Sequence, residues 1–105
     1  MPLIWRGAAG QYSSTDPMAL GSSLPPGAGV YIICKFENSR YVKAIYIGEC
    51  EDLIDRLTNL ESHHQYRCFL KQGATHVCVI FITTGRQVRL TIETDLRAGL
   101  YPPCN

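Results

Sequence analysis

The apolar positions of this chain change texture near residue 29. From Gly29 to Phe36 (GVYIICKF) the run is almost continuously apolar and β-branched, and Val42 to Gly48 (VKAIYIG) repeats it after a polar Glu37-Asn38-Ser39-Arg40 break. Such residues suit a pleated, half-buried surface, so two strands joined by a short turn are expected. Leu53, Ile54, Leu57 and Leu60 then recur at helical spacing, with Glu51 and Asp52 where they favour a helix N-terminus. His63-His64-Gln65 breaks that pattern, and Tyr66 to Gln72 reads as a second short helix closed by Gly73. His76 to Thr83 (HVCVIFIT) is apolar on both faces, the mark of a central strand covered on each side. Val88, Ile92 and Leu96 mark a last helix from about Gln87 to Ala98, ended by Gly99 and unable to continue through Pro102 and Pro103. The order β-β-α-α-β-α predicts an α+β fold: a three-stranded, antiparallel-containing sheet flanked by helices.

Residues 1–28 read differently. Gly, Ser and Pro fill 12 of these 28 positions, and Arg6 and Asp16 are the only charges. A segment of this composition cannot build its own core and is expected to be an arm or linker ahead of a domain spanning 29–105. Ile4, Trp5 and Tyr12 are the exceptions, and an aromatic anchor of this kind is expected to dock on the domain or on a second copy.

Composition narrows the function only a little. With 105 residues, 46% hydrophobic and 18% charged, the chain supports one core of ordinary globular type. No apolar run approaches the roughly 20 residues of a spanning helix, so no membrane partner is expected. Without a secretory signal pattern the expected location is cytoplasmic. Five cysteines, an odd count with no C-x-x-C pair, favour reduced thiols over a disulfide framework. His63, His64 and Cys68 lie close enough to suggest zinc, but no fourth ligand is signposted, so a polar loop is the plainer reading. The net charge of +1 argues against tight, non-specific coating of nucleic acid while permitting a local basic patch.

Four polar groups sit at the margins of packed faces and could converge in one cleft. Tyr31 and Tyr46 lie on the two hairpin strands, Arg56 beside the stripe of the first helix, and Glu93 beside Ile92 on the last. Each has a structural explanation as well. Strand tyrosines are commonly core aromatics. Arg56 could pair with Asp52 four residues earlier, and Glu93 lies four residues from both Arg89 and Arg97.

Gly29-Val30-Tyr31 followed by Tyr46-Ile47-Gly48 resembles the paired strand motif of the GIY-YIG nuclease family, with Val30 in place of the usual isoleucine. Arg56 stands ten residues beyond Tyr46, and Glu93 is followed by Tyr101-Pro102-Pro103-Cys104-Asn105. The resemblance spans Gly29 to Asn105 and implies a metal-dependent endonuclease acting on DNA more readily than RNA. It implies Tyr31, Tyr46, Arg56, Glu93 and Asn105 as catalytic residues. Glu93 would hold one Mg²⁺ or Mn²⁺, Arg56 would grip phosphate, and Asn105 would support the site by hydrogen bonding. One tyrosine would take a proton from water and the other orient it, with the choice left open. Gly48, His63 and His64 join Arg56 as expected substrate-side residues. Two positions depart from the family pattern: Leu60 stands where a histidine or tyrosine is common, and Glu49 where a basic or polar residue is common. His63 or His64 is the expected substitute. The competing reading is a catalytically degenerate module of the same fold that binds nucleic acid or a protein. With no appended DNA-reading domain expected, specificity would come from the domain, the arm, a homodimer or a partner protein.

Overall fold

The computed structural model describes residues 2–38 and 41–105. Its centre is an antiparallel sheet in the order β3 (Met18–Ala19), β6 (His76–Phe81), β4 (Gly29–Asn38) and β5 (Tyr41–Cys50). The apolar runs become the inner strands β4 and β6, buried on both faces as their composition requires. Glu37 and Asn38, expected in the turn, extend β4, and Asn38 pairs with Tyr41 across a register shift at Glu37; Ser39 and Arg40 lie outside the described residues.

The sheet has four strands where three were expected. Met18 and Ala19 of the low-complexity segment pair with Val77 and His76, which makes β6 a central strand. A two-residue strand carries no periodicity, so it could not be read from the pattern. The same segment forms a separate hairpin of β1 (Ile4–Arg6) and β2 (Gln11–Ser13). Trp5 is buried, and its Nε1 donates to Ser14 Oγ at 2.9 Å. The hairpin turn is pinned to the last helix by Asp95, whose carboxylate accepts from Ala9 N, Gly10 N and the Tyr12 hydroxyl.

Three α-helices are present among the described residues. α1 (Leu53–Leu57) is capped by Asp52, whose side chain accepts from Asp55 N at 3.1 Å. It is shorter than the apolar spacing suggests: Leu60 begins a separate 3₁₀ turn, Leu60–Ser62. α2 (Tyr66–Gln72) closes on Gly73 in the left-handed conformation, φ 73°. α3 (Arg86–Leu100) runs through Gly99, the expected stop, and ends at Tyr101 with φ 50°. Gly99 serves packing instead: a Cβ there would collide with the Gly7 backbone of the β1–β2 hairpin. No described helix is long and apolar enough to cross a membrane.

Each face of the sheet covers its own core. Val30, Ile32, Cys34, Ile47, Cys78 and Ile80 meet Trp5 and the Ile92 and Leu96 stripe of α3. Tyr31, Ile33, Ile45, Val77 and Val79 meet Leu53 and Leu57 of α1 and Phe69 of α2. Cys68 and Cys104 form a disulfide, which corrects the expectation of five reduced thiols and removes Cys68 as a zinc ligand. α2 and the tail after α3 are brought together only in the fold, so nothing in the spacing signalled the pair. Cys34, Cys50 and Cys78 are free and buried.

Candidate functional site

The site is built around an irregularity in β5. Ile33 pairs with Tyr46, but Cys34 pairs with Ala44, so Ile45 is an extra residue in the ladder. Ile45 and Tyr46 consequently join the same core, on the α1–α2 side, while Ala44 and Ile47 join the other. Tyr31 lies across from Gly48, and a Cβ on Gly48 would come within 2.5 Å of the tyrosine Cζ and Oη. Gly48 is therefore the buried floor beneath the Tyr31 ring, which is itself wholly buried.

His63 enters from the loop after the 3₁₀ turn. Its Nε2 is 3.0 Å from the Tyr31 hydroxyl, and its Nδ1 accepts from Gln65 N at 3.0 Å. The amide can only donate, so the proton of the neutral ring belongs on Nε2, and Nε2–H donates to the Tyr31 oxygen. Burial, with His64 and Arg56 nearby, lowers the His63 pKa to about 4, so the ring is neutral near pH 7. His64 is exposed and stacks on His63 with ring centroids 4.5 Å apart.

Arg56 resolves one ambiguity. Asp52 is occupied as the α1 cap, and Arg56 turns its side chain to the Tyr31 hydroxyl. Tyr31 in turn presents its hydroxyl to Tyr46. The Tyr46 ring stands 5.1 Å from that of His63 and 5.4 Å from Phe69, and it is only partly buried. Burial raises the pKa of both tyrosines. For Tyr46 the Glu93 charge adds to that rise, while the Tyr31 hydrogen bond and the positive charges of Arg56 and Arg97 oppose it.

Glu93 comes from α3, on the other side of the sheet, and borders the cluster at the edge of β5. Its side chain is 15% exposed and pairs with Arg97 at 3.5 Å, and the Glu49 backbone N–H lies near enough to favour its charged form. Burial, and the Glu49 charge to a lesser degree, raise its pKa despite Arg97. Arg89 does not lace Glu93: its Nε holds Glu49 at 2.9 Å, with Arg86 at 3.4 Å on the other oxygen. The acid that departs from the family pattern is thus neutralised by two arginines. Asn105 brackets Ile47, its Oδ1 accepting from the Ile47 N–H and its Nδ2 donating to the Ile47 carbonyl, each at 2.8 Å. Cys104 N adds a bond to the Ile45 carbonyl.

Tyr31, Tyr46, Arg56 and His63 therefore converge. Glu93 flanks them, His64 touches them by stacking, and Asn105 supports the strand that carries Tyr46. No family model, curated protein or solved structure matches the chain.

The strand irregularity at Ile45, the Cys68–Cys104 tie and the Glu49–Arg89 pair were not anticipated. Only the last had a signal, an unexplained acid near a row of arginines. Among the described residues no three His, Cys, Asp or Glu side chains cluster as a metal cage. One inward carboxylate still fits Mg²⁺ or Mn²⁺, since such ions are commonly held by one or two carboxylates plus water and substrate phosphate.

Proposed function

We propose that the chain is a divalent-metal-dependent endonuclease domain of the GIY-YIG type, hydrolysing DNA phosphodiester bonds. One observation carries the reading. Four groups far apart in sequence, Tyr31, Tyr46, Arg56 and His63, form one cluster at a strand edge, beside a partly buried carboxylate, Glu93. A core needs no such set, and a binding surface would not bury so much of it.

The roles follow from the environments. Tyr46 is the more accessible tyrosine and is the proton acceptor. Tyr31 is sealed and positions it, held by the Nε2–H of neutral His63. Arg56 is exposed enough to grip a phosphate oxygen while its charge favours the Tyr46 phenolate. Glu93 would hold the divalent cation, whose chemistry is to neutralise the phosphate and assist the departing 3′ oxygen. A cation held there would also offset the Glu93 charge that opposes the Tyr46 phenolate, and Arg97, 47% exposed, has room to leave Glu93 for it. Asn105 keeps the Ile47 peptide, and with it Tyr46, in place.

The test is nicking of supercoiled plasmid with Mg²⁺, Mn²⁺ or EDTA. Glu93→Ala and Tyr46→Phe should each lower the rate by about a hundredfold or more, and EDTA should abolish it. Equal nicking by wild type and both variants would remove the assignment. A second reading, a degenerate nucleic-acid or protein-binding module, draws on the raised tyrosine pKa values and the Glu93–Arg97 pair. It expects binding without cleavage under every metal condition.

A further inference from the structure

We propose that a groove running from the site to the β1 strand holds a single-stranded stretch of nucleic acid. The inference rests on the nuclease reading for its substrate class and adds the form of the substrate. Two clefts share one residue, Tyr101. The first, about 520 Å³, includes Arg97 and Asn105 and so adjoins Glu93. The second, about 430 Å³, lies between β1, the start of β5 and the end of α3, with Trp5 and Leu100 in its lining. A chain leaving the first cleft passes over Tyr101 into the second.

The chemistry of that path matches a single strand. Tyr101 is 83% exposed and Tyr41 is 56% exposed, so two aromatic rings flank the groove where unpaired bases can stack. Arg6 and Lys43 line the same groove, and neither forms an ion pair among the described residues. Among the described residues neither cleft has an acidic residue in its lining. Cations beside aromatics suit a polyanion with exposed π-faces, whereas an apolar peptide would leave two cations facing apolar surface. A duplex offers phosphates but keeps its bases stacked inside, out of reach of Tyr41 and Tyr101. The net charge of +1 is compatible, because the cations are concentrated locally.

The experiment measures anisotropy of a fluorescent oligothymidylate and of a hairpin duplex with the full chain in EDTA, where binding is read without cleavage. The single strand should bind more tightly than the duplex. Tyr41→Ala and Tyr101→Asn should each weaken single-strand binding about tenfold, the asparagine retaining a residue that tolerates positive φ. Arg6→Glu and Lys43→Glu should weaken it comparably and reduce its salt dependence. Unchanged single-strand affinity in all four variants, or preference for the duplex, overturns the proposal. So does a dimer in sedimentation that the same substitutions dissolve, since a second copy would then be the occupant. The two readings separate cleanly. Groove-dependent binding without any nicking sinks the nuclease and keeps the groove. Metal-dependent nicking with groove variants that bind as wild type does sinks the groove alone.

Discussion

The two faces of the central sheet are cores of similar extent held by different means. On the α3 side, Val30, Ile32, Cys34, Ile47 and Ile80 meet Trp5, Ile92 and Leu96, and the Trp5 indole spends its one donor on Ser14. On the α1–α2 side the layer includes Tyr31, with His63 against its hydroxyl, and the helices are short, five and seven residues. Helices this short have little intrinsic stability. That face is tied by the Cys68–Cys104 disulfide and by polar contacts that must all be satisfied at once. Packing holds one side and specific links hold the other; Tyr31, Tyr46, Arg56 and His63 lie on the linked side, and Glu93 borders them from α3.

The largest effect should come from breaking the packed side. Trp5→Ala removes a nearly wholly buried ring and strips Ser14 Oγ of its donor, and it should cost about 3–5 kcal/mol. Urea unfolding measures the loss. In the surviving folded fraction at low temperature the Tyr31, Tyr46, Arg56 and His63 cluster, which packs on the opposite face of the sheet, should persist, so nicking should fall less than stability does even though Trp5 also lines the proposed groove. A stability loss below about 1 kcal/mol would mean the β1–β2 hairpin is an appendage and the packed face is smaller than described.

Next comes the covalent link. Cys104→Ser opens a loop closed over a sequence separation of 36 and should cost about 2–4 kcal/mol. Here stability and activity should fall together. Cys104 N bonds Ile45 and Asn105 brackets Ile47, so the freed tail loosens the strand on both sides of Tyr46. Reductant added to wild type should reproduce the variant. A variant that loses stability yet nicks at the wild-type rate would separate the tail from the site.

How much of this was legible in the sequence follows the same division. The apolar runs announced β4, β5 and β6, and the spacing of Ile92 and Leu96 announced α3, because burial writes periodicity into composition. Gly73 announced its own cap. What stayed hidden depended on contacts between distant residues. Gly99 looked like a helix stop because glycine usually is one, and its crossing with Gly7 is invisible in one dimension. Trp5 stood out as an anchor, but its hairpin and the short β3 pairing with β6 lie in a segment whose Gly, Ser and Pro mask any strand pattern. The site residues were named mostly by motif resemblance, and their links were not readable. Arg56 chose Tyr31 over Asp52, and Arg89 chose Glu49 over Glu93. The extra residue at Ile45 is concealed because Ala44 to Ile47 is apolar or aromatic throughout, so the phase of the alternation leaves no trace.

A finer test of the linked side is Tyr31→Phe. The ring still fills the space over Gly48, but the His63 Nε2–H loses its acceptor and Tyr46 loses a hydrogen bond that favours its phenolate. A buried donor left without a partner costs about 1–3 kcal/mol. The catalytic effect should appear in kcat more than KM, with the pH profile displaced to higher pH. A change in KM alone would mean Tyr31 shapes binding and has no part in positioning Tyr46.

The smallest expected effect is a pH dependence from His63. Its pKa is lowered on folding, from the ordinary 6.5 to about 4, chiefly by burial. Between those values the unfolded chain binds a proton that the folded chain does not, so stability falls as pH drops through that window. The stabilising contribution is complete above about 6.5 and lost progressively toward 4. His63→Gln keeps an N–H donor for Tyr31 and cannot titrate, so its stability should decline less steeply from neutral to mildly acidic pH than that of wild type. Carboxylates titrating in the same range affect both proteins alike and cancel in the difference. Parallel curves for the two would show that His63 is protonated as readily in the fold as in the open chain, and the donor assigned to Nε2 would no longer follow from a neutral ring. Ile92→Val on the packed face removes only apolar contact and no titrating group, so it should shift the curve down without tilting it.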